Sequence, residues 1–272
     1  MKTKPAGGRP VPALLPAAKR PSGVFAGRFV PPALPPFICL IALWQALSVS
    51  GMVPGYMLPG PFRVLAALWG DRLLLAGHLG RTLAEAAAGL ALAVAAAFVL
   101  AVIMDMNRRI KDALGPLLLL TQTIPTIALA PLLILWMGYG SAPKIALVFL
   151  TCFFPLTLGL LGAFSSADED ELRLLKSMGA NSAQLYRYIK IPSGAGAFFS
   201  GLRVSASYSI IGAVISEWLG GDAGLGVYMI RVRKSYSFDK MFAAILVVAL
   251  VSLGLMKLVE LAEKAARPWK TA

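Results

Sequence analysis

An all-α membrane protein with six transmembrane helices is the fold class this sequence predicts, and three observations predict it. The chain is 58% hydrophobic and only 14% charged over 272 residues, whereas a soluble domain carries roughly a quarter charged residues. Its apolar residues fall in runs of about 18–25, the length that crosses a hydrocarbon core about 30 Å thick. Lys and Arg gather between those runs, as expected of loops on the inner side of a membrane. With no water in the bilayer core, continuous apolar runs are helices, since a closed barrel alternates instead.

The elements follow in order. Residues 1–29 are rich in Pro, Gly and Ala, hold six Lys/Arg and no acid, and read as a disordered basic cytoplasmic tail. Residues 30–79 hold the first span, 31–50, read as an uncleaved signal-anchor, and an outer loop. Residues 80–262 form the core, with spans at 80–104, 114–137, 142–164, 194–218 and 241–262, and residues 263–272 are a C-terminal tail. Basic clusters in the N-terminal tail, at Arg108, Arg109 and Lys111, in the insert 165–192 and after Lys257 place both termini in the cytoplasm. Arg231, Arg233, Lys234 and Lys240 fall in the predicted outer loop before the last span. Cys39 and Cys152 lie in apolar runs and read as small buried hydrophobes.

The second span, "TLAEAAAGLALAVAAAF", is dense in small residues that suit close helix packing. In the third, Gln122, Thr123 and Thr126 surround Pro125, which removes a backbone hydrogen bond and kinks a helix. Such polar groups either repair the freed carbonyls or line a wet path. In the fifth span, Ser205 and Tyr208 with Ser207 and Ser209 either line the same path or bond between helices. Glu217 at its outer end is either a gating or docking group or a solvated anchor beside Trp218. Glu85 lies one helical turn from Arg81, which is placed to neutralise it. The run "GGDAGLG" (220–226) is either a docking turn or a connector.

The stretch "LLKSMGANSAQLYRYIKIPSG" (174–194) interrupts the apolar pattern. Ser166 and Glu169 fit a capping box for a first short helix, with acids in its first turn where the dipole favours them. Leu172, Leu174, Leu175 and Met178 recur at helical spacing, and Gly179 supplies a left-handed cap. Asn181 with Gln184 starts a second helix, and Pro192 marks where that helix stops or bends. Two short amphipathic helices either plug a groove on a soluble partner or lie on the membrane surface.

Gly179, Ile189, Ile191 and Pro192 match the spacing of the "EAA" loop, E-A-A-x3-G-x9-I-x-L-P, and the chain thereby resembles the permease subunits of ATP-binding-cassette importers. Arg173, Leu174 and Leu175 occupy the E-A-A positions, so the acidic contact does not transfer to Arg173, and Glu171 is at best a partial substitute. "TIPTIALAPLLILWMGYG", "FFPLTLG" and "GLRVSASYSIIGAVISEWLGGDAGLGVYM" resemble the nitrate/sulfonate/taurine branch. "LLKSMGAN" and "VISEWLGGDAGLG" are most similar to permeases for hydroxymethylpyrimidine-type thiamine precursors.

The resemblance implies a type I importer fold whose insert is a coupling helix docked on a cytoplasmic ATPase through Glu171, Arg173, Leu174, Leu175, Gly179, Ala180, Leu185, Ile189 and Pro192. It implies a second permease copy and an external solute-binding protein, with ATP and Mg held by the ATPase and no cofactor on this chain. ATP-driven closure of the ATPase pair then rocks the spans between inward-open and outward-open states. The setting is a bacterial inner membrane, with lipid around the spans.

Other classes fit less well. The net charge of +13 is distributed between spans, not in a patch with interleaved aromatics, so nucleic acid is not the expected partner. No G-x-x-x-x-G-K-[ST] loop occurs, and the single histidine, His78, excludes histidine-rich metal clusters and triads. An ion-driven secondary transporter, the alternative reading, predicts acids at mid-span and two related halves; neither is visible. An enzyme within the membrane would need catalytic groups clustered at one depth.

Overall fold

A computed structural model describes residues 34–267; the predicted tail 1–29 and residues 268–272 lie outside them. The described residues 34–40 and 41–267 fall in two separate units. In the first, the described residues are the opening turns of α1 (Leu34–Val49). The second holds the rest of α1 and ten further helices, with no strand among the described residues.

The 16 described residues of α1 run about 24 Å at 1.5 Å per residue, and α1 begins at the first of the described residues. The helices long and apolar enough to cross are α3 (Arg72–Met106), α6 (Ala142–Ser165), the continuous segment Ser182–Gly220, and α11 (Phe238–Ala266). A fifth is formed if α4 (Arg108–Thr123) and α5 (Thr126–Met137) count as one span bent by 96°. Among the described residues, four or five helices meet that measure, against the six expected of the whole chain. The predicted third span is a broken pair and not one rod, because Pro125 has no N–H to offer and pushes the preceding residue out of the helical region. Ile124 is accordingly extended, with φ −84° and ψ 119°.

α3 shows how the small residues are used. Thr82, Ala86, Gly89, Ala93, Ala97, Ala101 and Met104 are buried along one stripe, spaced three or four apart as one helical face requires. A Cβ on Gly89 would sit 2.6 Å from the Val148 side chain, so the backbones of α3 and α6 meet there. α3, α6 and the lower helix α9 (Ile191–Gly220) form the centre. Val148, Cys152, Leu156, Ile210 and Ala213 interlock among them. Cys152 is buried, whereas Cys39 is exposed.

Hydropathy alone missed two short helices, α2 (Pro61–Gly70) and α10 (Leu225–Lys234), both too mixed in polarity to stand out. α2 packs on α11, and α10 packs on α3, α9 and α11. α11 also continues past the predicted boundary at 262 to Ala266. The last spanning segment by strength is the one ending at Gly220, whose mean hydropathy of 1.4 compares with 2.2 to 2.6 for the other three.

Polar contacts gather at two ends of the bundle. One, the loop end, holds Glu85, Lys144, Glu217 and the loop before α10. The other, the insert end, holds Asp105, Lys190, Arg203 and Glu263.

Candidate functional site

The insert begins at α7 (Glu169–Ser177). Its cap is Asp168, whose carboxylate accepts from the Asp170 N–H at 2.8 Å, and not Ser166. Ser166 instead ends α6 and donates its hydroxyl to the Ala163 carbonyl at 2.8 Å. A carboxylate at the cap adds charge to the hydrogen bond, as do Glu169, Asp170 and Glu171 in the first turn. Arg173 pairs with Glu169 at 2.7 Å on the exposed face.

At the other end of α7, Gly179 has φ +86°. Its N–H donates to the Lys176 carbonyl and that of Ala180 to the Leu175 carbonyl, each at 3.0 Å. This pair of bonds is a Schellman closure, which needs a left-handed residue at Gly179. Asn181 then caps α8 (Ser182–Leu185) in a reciprocal capping box with Gln184, as the sequence predicts.

Of the two outcomes expected at Pro192, a stop or a bend, the stop does not occur. The chain passes through a π turn, Tyr186–Lys190, directly into α9, and the Ile191 N–H reaches back five residues to the Tyr186 carbonyl. A proline ring clashes with the carbonyl four residues before it; widening the preceding turn gives it room. The second helix of the insert is thus the first part of a spanning helix.

Side-chain exposure divides the insert residues. Leu185 and Ile189 are buried, whereas Leu174, Met178 and Tyr188 are 60%, 75% and 62% exposed. Leu175 and Ala180 are half-buried beside them. A shallow depression of about 290 Å³ lies between Leu175, Met178, Gly179, Ala180, Gln184 and Tyr188. An apolar rim around a small hollow on a rigid double turn can accept or enter a complementary groove.

At the loop end, Glu217 is 1% exposed and does not sit in water. The Thr82 hydroxyl donates to its Oε1 at 2.7 Å and the Gly226 N–H to its Oε2 at 2.6 Å. Thr82 also accepts from the Leu225 N–H at 2.9 Å, and the Gly224 N–H donates to His78 Nδ1 at 3.0 Å. Three consecutive amides of the "GGDAGLG" run are therefore held by side chains of α3 and α9. Gly224 has φ +129°, and a Cβ there would enter the Glu217 carboxylate. Alongside, the Lys144 ammonium lies 3.0 Å from Glu85 Oε1, and Arg81 lies 3.3 Å from the same oxygen.

The remaining predicted pathway residues do not join this network. Gln122, Thr123 and Pro125 are exposed and Thr126 half-buried at the α4–α5 break. There the Thr123 hydroxyl donates to the Leu120 carbonyl at 2.8 Å, the local repair that a broken helix end requires. Tyr208 is 45% exposed. Ser205 is buried between α9 and α6, where its carbonyl accepts from the Cys152 thiol at 3.3 Å. The contacts of His78, Thr82, Lys144 and Asp105 have no signal in the sequence. Their partners lie 59 to 146 residues away, and no local spacing signals such pairs.

A helical bundle with an apolar-rimmed insert at one end and a locked loop at the other defines a membrane transport subunit. Residues 89–268 match the family of binding-protein-dependent transport system inner membrane components. A probable ABC transporter permease protein of Haemophilus influenzae is 36% identical over 79% of this chain and 88% of its own. The formylaminopyrimidine transport permease protein ThiX of Halalkalibacterium halodurans is 33% identical over 86% and 94%. A crystal structure of an amino acid ABC transporter with histidines superposes with a TM-score of 0.61 at 16% identity, over 74% of this chain and 97% of that one.

The chain belongs to the binding-protein-dependent transport permeases. It is a multispanning inner-membrane permease of an ABC importer with the type I fold. Its branch is the nitrate/sulfonate/taurine one, as matches to sulfonate and taurine permeases indicate. That membership supports an importer permease over an ion-driven transporter.

Proposed function

We propose that this permease imports a substituted pyrimidine of the thiamine-precursor type, with its insert end in the cytoplasm docked on an ATPase. The insert's exposed Leu174, Met178 and Tyr188 carry this reading. They stand on a helix pair closed by the Gly179 turn and fused through the π turn to a spanning helix. The formylaminopyrimidine permease, similar along almost its whole length, supports the solute class. A binding protein delivers the solute at the loop end, and a second copy of this chain completes the pathway. Gln122, Thr123 and Tyr208, which are exposed, and Thr126, which is half-buried, are the side chains offered to that pathway. ATP and Mg belong to the ATPase, and both termini are cytoplasmic.

Affinity purification of the tagged permease in mild detergent, followed by mass spectrometry and uptake assays, tests this. The expected result is co-recovery of an ATPase, its loss in Leu174→Glu/Met178→Glu, and saturable ATP-dependent uptake of labelled formylaminopyrimidine. Both substituted side chains are exposed, so the fold should survive them. Recovery of the permease alone, transporting in liposomes without ATP, overturns the docking reading; uptake of taurine but no pyrimidine overturns the solute.

A further inference from the structure

The insert reaches α9 through continuous backbone, but it reaches α3 only sideways. α3 matters because its far end carries His78, Thr82 and Glu85, which hold the loop before α10 and the Lys144 pair. In its last turn, at the insert end, lies Asp105. The Tyr186 hydroxyl donates to Asp105 Oδ2 at 2.5 Å, and the Lys190 ammonium pairs with the same oxygen. Tyr186 and Lys190 are the first and last residues of the π turn.

We propose that Asp105 is the positioning residue that transmits movement of the insert to α3, by tying both ends of the π turn to one carboxylate. The proposal rests on the reading that the insert docks on an ATPase. Three observations carry it. The pair is largely out of water, with the Asp105 and Lys190 side chains 8% and 17% exposed. Removing either partner would strand a charge there, unlike at a surface pair.

The tie is also braced. The Lys190 ammonium lies 5.0 Å from the Tyr186 ring centroid, and Phe164 of α6 meets that ring edge-on at 5.5 Å. A cavity of about 210 Å³ beside it is lined by Lys176 of α7, Ser182 and Leu185 of α8, and Asp105. α7, α8 and the π turn thus line one cavity with Asp105, and the π turn alone bonds its carboxylate.

The third observation is the π turn itself. It holds one residue more than an α turn, and sliding it along the helix would turn the residues it passes by about 100° relative to α9. Fixing Tyr186 and Lys190 on one oxygen sets where the extra residue sits. Motion of α7 and α8 is then delivered to α3 and α9 together, and not spent in the turn.

The test uses the permease–ATPase complex in lipid nanodiscs, with Cys39 and Cys152 replaced. Spin labels go at Ser177 on the insert and at Leu73, exposed at the far end of α3. Pulsed electron resonance compares the nucleotide-free complex with the ATP–vanadate-trapped one. In the wild type the distance should change with nucleotide. In Asp105→Asn the ATPase should still be recovered, but the change should vanish and transport per ATP hydrolysed should fall roughly tenfold. Tyr186→Phe should reduce the change, and Asp105→Lys with Lys190→Asp should partly restore it.

An unaltered nucleotide response in Asp105→Asn overturns the proposal, as does loss of ATPase recovery in both single variants, which would make Asp105 a docking support. If Asp105→Asn fails to fold, Tyr186→Phe decides. A wild-type complex that shows no change with nucleotide also overturns it. Failure to recover any ATPase with the wild type overturns the docking reading instead, and the tie falls with it.

Discussion

Glu217 turns a carboxylate buried in a membrane helix into a fastener for two backbone amides, that of Gly226 directly and that of Leu225 through Thr82. Its two oxygens are occupied by Thr82 and Gly226, and Thr82 in turn receives Leu225. Glutamine keeps one acceptor oxygen but presents an NH2 to either the Thr82 hydroxyl or the Gly226 N–H. Glu217→Gln should therefore leave a buried donor unmatched, at about 1–3 kcal/mol. Amide exchange measured by mass spectrometry should rise first at residues 224–226, while α6 stays protected. Exchange spread evenly over the bundle would show that the loop is held by something else.

At the scale of elements, the turn at Gly179 decides whether the insert keeps its form. A side chain at φ +86° costs roughly 1–2 kcal/mol, and proline, fixed near −65°, cannot occupy it at all. Gly179→Pro should leave membrane insertion intact but abolish solute uptake, and Gly179→Ala should reduce ATPase co-recovery modestly. Normal uptake by the proline variant would contradict the role of this turn.

Much of this region was legible beforehand, because a Gly cap and an Asn-x-x-Gln start are encoded locally. The π turn was not: a proline in sequence looks like a stop, and only packing of Leu185 and Ile189 keeps the helix running. The same contrast holds for the spans. Hydropathy located the apolar segments within several residues and Pro125 marked the kink, but the 96° size of the break and the amphipathic α2 and α10 depend on neighbours that a sliding window does not contain.

Across the whole molecule, the loop end is closed by one carboxylate outside the spanning helices. Asp71, between α2 and α3, accepts from Tyr228 of α10 at 2.7 Å and pairs with Lys240 of α11 at 2.9 Å. The Lys240 hydrogen bond, then that of Tyr228, holds the Asp71 carboxyl below its ordinary pKa. Burial and the Asp71 carboxylate push the Tyr228 phenol up. A depressed carboxyl contributes stability above its unfolded pKa and loses it as pH falls through the folded one. Asp71→Asn should thus lower the melting temperature at neutral pH, by the equivalent of about 1 kcal/mol for partly exposed partners. The gap to wild type should narrow below about pH 4. A gap independent of pH down to that range would mean that the ionised form of Asp71 is not what ties these helices.

The weak hydropathy of the segment ending at Gly220, 1.4 against 2.2 or more for the other three, bears on how the protein is made. Its α9 brings Glu217 and six serines, at 193, 200, 205, 207, 209 and 216, with it. An ionisable residue opposes insertion by about 2.5–3.5 kcal/mol at the centre of a membrane helix and by less in the last turn, where Glu217 lies. Thr82 and the packing surfaces of α3 and α6, however, leave the ribosome well before it. The late helix enters a membrane where its hydrogen-bond partner and its neighbours already stand. Moved ahead of α3 in a permuted chain, the same segment would meet lipid alone, so the order of synthesis is part of what makes a helix this polar a membrane helix.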